Sequence, residues 1–384
     1  MPLEGVRILD MGWVVAVPFA CAWLGALGAE VVRLESRARL DPARFLAIPP
    51  GAPRGADSSP YFTNVNFSKR SITLNLDRDE GRELVRRLVP FFDVVVENFS
   101  PGRLEAWGFA YEALRKLRRD VILVSASTLG QTGPEARSVG WGPNTQAYAG
   151  MCSLTGYEGG PPCGIGGTWP DFTAAAAIAF VVMAALRHRD RTGEGQAVDL
   201  SLGELILSML PEAVIDFSMN QREGARRGNR DPRFALHDVY RCRGADEWIA
   251  LSAENDRERG ALARALGFDE TPAAALDREV ASVLRDRDAR DVAGALARAG
   301  IRAAKVMNTE EILRDPHFLA RSLRVAIPHP VLGAKSILGL PIGGLPYRYT
   351  SAPLLGADNE AVLGGWLGLS TDEIQRLSDE QVIF

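Results

Sequence analysis

Few residues in this 384-residue chain belong to the types that most readily mark a metal or redox centre. Cysteine occurs only at 21, 152, 163 and 242, with no CxxC pair. That excludes a disulfide framework and a Cys-rich zinc site, and points to a reducing compartment. Histidine occurs only at 188, 237, 317 and 329, without HxH or HxxxH spacing, so no metal site is expected. Lysine is confined to 69, 116, 305 and 335, so most of the 44 basic residues are arginine, a bias that resembles high-GC coding more than function. The net charge of −4 gives no electrostatic drive toward nucleic acid. The longest apolar run, residues 173–186, falls short of the ~20 residues that span a bilayer, and MPLEGVRILDMG lacks the pattern of a secretory leader. A cytoplasmic protein with no nucleic-acid or membrane partner is expected.

What is present suits a folded chain of two or three units, with 46% hydrophobic and 24% charged residues. Strand-like runs at Val6–Met11, Glu30–Leu34, Ile72–Leu76, Asp93–Asn98 and Val121–Ser127 alternate with helical spacings at 18–27, 79–89 and 111–117. This alternation predicts an α/β first half with a mostly parallel sheet covered on both faces. The run Thr173–Arg189 reads as a helix packed inside the domain, followed by a strand at Gln196–Leu202 and a helix to about Met219. Residues 221–233 have linker composition. Beyond them a smaller α/β unit is expected, with strands at 248–253 and 303–306 and helices near 256–266 and 289–299. A Ser370-x-x-Glu373 capping box opens a last short helix. The expected division is a large domain at 1–220, a linker and small domain at 221–324, and a segment at 325–384 returning to the large domain.

No GxxxxGKS/T, GxSxG or HExxH motif occurs, and no GxGxxG follows the first strand; these absences remove the nucleotide-triphosphatase, α/β-hydrolase and zincin readings. Three features remain. The first strand runs into Trp13-Val14-Val15-Ala16 and a helix-starting Pro18, at the strand end where open α/β sheets bind ligands; a plain βα turn has the same pattern. Arg33, Arg37, Lys69, Arg70, Asn98 and Arg103 lie near strand ends, as phosphate donors or as a solvated face. The stretch Leu154–Asp171, with six glycines, delivers one acid to the mouth of the Ala-rich helix. Asp171 there is either an N-cap for amides near Thr173 and Ala174 or a group presented to a ligand by a flexible approach.

With LEGVRILDMGWVVAVP, NFSKRSITLNL, DVVVENFSPGRLEAWGF, PDFTAAAA, TGEGQAVDLSLGE and PLLGADNEAVLGGWLGLSTDEI, the chain resembles the class III CoA transferases, the CaiB/BaiF family, from end to end. The resemblance implies a Rossmann-like large domain with a mostly parallel sheet plus a smaller α/β domain, in an interlocked ring-like homodimer whose active sites lie between domains of different chains. It implies transfer of CoA from an acyl-CoA thioester to a carboxylic acid, without metal, through an anhydride and an aspartyl-CoA thioester on Asp171. The glycines at 156, 159, 160, 164, 166 and 167 would then form a lid or a close approach to the thioester. CoA is implied along Trp13, Val14, Val15 and Ala16, with Arg37, Lys69, Asn98, Phe99, Arg103 and Trp107 near its adenosine phosphates and base. Where formyl-CoA transferase has a His and a Gln in the first turn, this chain has Trp13 and Val15. The racemase relatives pair an Asp with a His in a GHD-type motif, where this chain reads Val139-Gly140-Trp141 and carries no histidine before His188. Racemase chemistry and non-catalytic acyl-CoA binding are the alternatives. Trp13, Trp141, Tyr157 and Trp169 suggest a bulky apolar acid.

Overall fold

The computed structural model describes residues 1–51, 54–269 and 272–384. They form two compact units: one holds 1–151, 164–215 and 322–384, the other 152–163 and 216–321.

The first unit is built on six strands, β1 (Arg7–Asp10), β2 (Glu30–Glu35), β3 (Arg70–Thr73), β4 (Val94–Glu97), β5 (Ile122–Ser127) and β6 (Ala197–Ser201). They are parallel throughout, in the order β3-β2-β1-β4-β5-β6, the doubly wound order whose direction reverses between β1 and β4. The strands read as continuous apolar runs because both faces are covered, and successive residues enter opposite cores. Ile8, Val31, Val94, Val96, Ile122 and Val124 face one core with α1 (Ala16–Ala26) and the helix Trp169–Thr192. Leu9, Val32, Val95 and Leu123 face the other with helices Asp79–Leu88 and Thr371–Asp379. Each side chain so buried contributes roughly 1.5–3 kcal/mol.

The helix Trp169–Thr192 begins four residues before the expected start at 173 and is long and apolar enough by composition to cross a membrane. Its Ala174, Ala175, Ile178, Ala179 and Val182 instead share the first core with α1. Pro211 splits the single helix expected after β6 into Leu202–Ser208 and Pro211–Asn220. The C-terminal segment covers the sheet edge. Asp358 and Asn359 accept hydrogen bonds from the Ser71 and Thr73 amides of β3, each at 2.8 Å. An antiparallel hairpin, Arg324–His329 with Gly333–Leu338, precedes this segment and has no counterpart in the sequence reading.

The second unit carries a three-stranded sheet, Leu236–Arg241, Trp248–Ala253 and Arg302–Lys305, packed on helices Asp256–Leu266, Ala273–Leu284 and Ala289–Arg298. Its strands are antiparallel. The segment Cys152–Cys163, placed by the sequence reading inside the large domain, belongs to this unit, so Gly156, Gly159 and Gly160 part company with Gly164, Gly166 and Gly167.

Candidate active site

A cavity of about 610 Å³ opens in the first unit where β1, β2, β4 and β5 end at their carboxyl termini. That is where the strand order reverses, the usual ligand crevice of such sheets. Asp171 stands in its wall. The N-cap position of the helix Trp169–Thr192 is Thr168, without a side-chain cap bond, and Asp171 lies inside the first turn. The capping alternative for Asp171 therefore fails, and its carboxylate is presented to the cavity. Burial raises its pKa to about 6, opposed only by its own backbone amide; no neighbouring charge contributes.

Two close approaches fix this acid. Gly142 opens the helix Gly142–Tyr148, and a Cβ there would lie 2.4 Å from the Gly167 carbonyl oxygen and 2.6 Å from Asp171 Oδ2. Only glycine fits without displacing one of them. Gln146, buried on the same helix, accepts the Ile165 amide at 2.7 Å and donates to the Gly166 carbonyl at 2.9 Å, pinning the glycine-rich approach to Asp171. Tyr61 also lines the cavity, its buried hydroxyl beside Thr168. Burial pushes the phenol's pKa up, Thr168 opposes the rise, and the nearby Asp171 and Asp41 charges add to it.

Part of the lining is aromatic. Phe99 meets Trp13 edge-on at 6.2 Å and Trp107 at 5.2 Å. The Arg39 guanidinium lies 4.9 Å from the Trp13 ring centroid and that of Arg103 5.3 Å from Trp107. Asn98 holds the Trp13 backbone from both sides, accepting its amide at 2.7 Å and donating to its carbonyl at 3.0 Å. The Phe99 amide donates to Glu97 at 2.6 Å. Burial raises the pKa of that carboxyl to about 7, with the Ser125 hydroxyl and the Phe99 amide opposing the rise.

Of the residues singled out in the sequence, Trp13, Val14, Asn98, Phe99, Arg103, Trp107 and Asp171 meet at this cavity. Val15 and Ala16 do not; both are buried in the first core. Arg37 is exposed and lies off the cavity wall, where Arg39 stands instead. Lys69 is buried in an ion cluster, its Nζ 2.6 Å from Asp10 and 2.8 Å from Asn66. Burial pushes its pKa down while Asp10 opposes the shift. Among the four aromatics, Trp13 and Trp141 line the cavity, Trp169 packs near Ala149, Met151 and Ile206, and Tyr157 belongs to the second unit. Arg39, Tyr61, Gly142 and Gln146 were not singled out as site residues in the sequence; tertiary packing brings each of them to the site. Among the described residues no group of three or more His, Cys, Asp or Glu is placed to hold a metal ion.

Comparison with known proteins shows the family and the fold. The family model for CoA-transferase family III matches residues 3–359. The chain is 31% identical over 402 aligned positions to a succinyl-CoA–D-citramalate CoA-transferase of Chloroflexus aurantiacus, covering 100% of this chain and 98% of that one. It is 28% identical to the succinyl-CoA:glutarate CoA-transferase of Mus musculus, over 100% and 90% of the two chains. A CAIB/BAIF family protein from Brucella suis superposes with a TM-score of 0.85 at 29% identity, covering 95% and 99%. With the sheet order, the site at its reversal point and a family match over nearly the whole length in agreement, this chain belongs to CoA-transferase family III and is an enzyme of that class.

Proposed function

We propose that this enzyme moves CoA from an acyl-CoA thioester to a carboxylic acid through covalent intermediates on Asp171. The observation that carries the reading is an acid in the cavity wall that is neither a helix cap nor held by a neighbouring charge. An Asp171 oxygen attacks the thioester carbonyl carbon; the carbon–sulfur bond breaks, CoA leaves as the thiolate, and a mixed anhydride remains. The thiolate then attacks the Asp171 acyl carbon, releasing the donor acid and leaving an aspartyl-CoA thioester. The acceptor acid runs the same steps in reverse. Exchange of one thioester for another is nearly thermoneutral, so no ATP is needed, and the carboxylate relay divides one hard step into easier ones. An anhydride hydrolyses readily, so the half-buried setting of Asp171 serves the chemistry as well as the pKa. Backbone amides of the Gly164–Gly167 approach are the candidate oxyanion donors.

In this reading the CoA base lies against Trp13, Phe99 and Trp107, with Arg39 and Arg103 as the cations that meet its phosphates. Succinyl-CoA, the donor in the names of the Chloroflexus aurantiacus and Mus musculus relatives, is the first donor to try. The acceptor is a bulky apolar acid facing Trp141. The working form in this reading is a cytoplasmic homodimer.

The test is direct. Asp171→Asn and Asp171→Ala should each lower CoA transfer by at least about 10³-fold. Hydroxylamine added with acyl-CoA should mark the peptide carrying Asp171 by mass. An Asp171→Ala protein that still exchanges CoA between acids removes the proposed nucleophile.

A further inference from the structure

Between Asp10 and Val14 the chain leaves β1 and turns toward α1, and its backbone is held by side chains, most of them remote in sequence. The Gly12 amide donates to Asp10 at 2.8 Å, and its carbonyl accepts from Arg33 Nη1 at 2.9 Å. Asn98 holds Trp13. The Val14 amide donates to both Asp41 oxygens, at 3.0 and 3.2 Å. Val14 has φ +63°, a left-handed conformation that a β-branched side chain disfavours. Asp41 supplies the opposing attraction. It is 1% exposed, its Oδ2 accepts Arg33 Nη2 at 2.5 Å, and its Oδ1 also accepts the Ala43 amide at 2.8 Å. Arg33 is fully buried and also pairs with Glu35 at 3.0 Å and Asp10 at 3.5 Å. Neither Arg33 nor Asp41 lines the cavity, whereas Trp13 and Val14 do.

We propose that the buried Arg33–Asp41 pair is a positioning device: it holds Val14 in its left-handed conformation and so aims Trp13 and Val14 into the cavity. The proposal rests on the CoA-site reading above. A carboxylate that merely stabilises the fold would act on binding independently of the residue at position 14. One that works by holding a strained valine must lose its effect when the strain is removed, because glycine adopts positive φ freely.

The experiment is a double-mutant cycle of Asp41→Asn and Val14→Gly, read by the Kd for CoA from tryptophan fluorescence, with kcat and KM for acyl-CoA alongside. In the native background Asp41→Asn should raise Kd and KM about tenfold, as expected for coupled residues in contact, and change kcat less than about threefold. In the Val14→Gly background the same substitution should change Kd less than about threefold. An equal effect in both backgrounds, or none with Val14 present, overturns the proposal. A wild-type protein that binds no CoA overturns the site reading itself, which keeps the two failures apart. Should Asp41→Asn not fold, Asp41→Glu moves the carboxylate by one methylene and carries the same comparison.

Discussion

Asp171 feels burial and almost nothing else, which makes its titration a clean probe of the site. If its ionised form is the nucleophile, kcat/KM should climb with pH through an apparent pKa near the value of about 6 set by burial and level off above it. A profile that stays flat well below that value contradicts the role. The same shift acts on stability. The folded-state pKa lies above the ordinary 3.8, so the fold favours the protonated acid. That stabilisation is complete below about pH 4 and lost as pH rises through about 6. Asp171→Asn removes the loss. It should therefore gain up to roughly 3 kcal/mol over wild type at neutral pH and little at pH near 4, measured by urea unfolding at the two values. The sequence pointed to this residue through its motif and its glycine-rich approach. It left open whether the acid caps the helix, because the answer depends on a start at Trp169 or three residues later, and Trp-Pro can begin a helix as well as precede one.

At the scale of elements, two helix starts converge on Asp171, those of Gly142–Tyr148 and Trp169–Thr192, and Gly142 is the point of contact. Gly142→Ala would place a carbon within 2.6 Å of the carboxylate and 2.4 Å of a backbone oxygen. One or both must shift, and a displacement of about 1 Å at a reacting group lowers the rate on the order of 100-fold. The expected result is a folded protein with kcat/KM reduced by about that factor; a fully active Gly142→Ala enzyme contradicts the contact. Nothing local distinguishes Trp141-Gly142-Pro143 from an ordinary turn, so this glycine was invisible as a site residue. Elements were legible where burial is two-sided, as in β1, β2, β4 and β5, whose apolar runs leave little choice of period. Legibility failed where one face is wet: Leu236–Arg241 reads LHDVYR, with His237 and Arg241 exposed. It failed likewise for the hairpin at 324–338, whose pairing is a matter of register and not of composition. Lys69 misled because scarcity drew attention to it, while its actual partner, Asp10, lies 59 residues away.

For the whole molecule, the exposed apolar surface is the feature a lone chain does not explain. The helix Pro211–Asn220 buries none of its residues, and Val214, Ile215, Phe217 and Met219 are 49%, 53%, 49% and 76% exposed. Phe180 and Met183 of the helix Trp169–Thr192 are 66% and 40% exposed. A free monomer would hold these side chains in water, losing roughly 25 cal/mol for each Å² left unburied, and exposed apolar side chains in such number are what interfaces between chains bury. The proposed homodimer gives them a partner of the same sequence. Light scattering should return twice the mass of the chain. Phe217→Glu combined with Met219→Glu should shift the population toward monomer, more at low protein concentration than at high, because charge placed in an apolar interface opposes association. If the active site needs both chains, transfer activity should fall in step with the dimer fraction. A wild-type monomer with full activity would instead assign this surface to another partner.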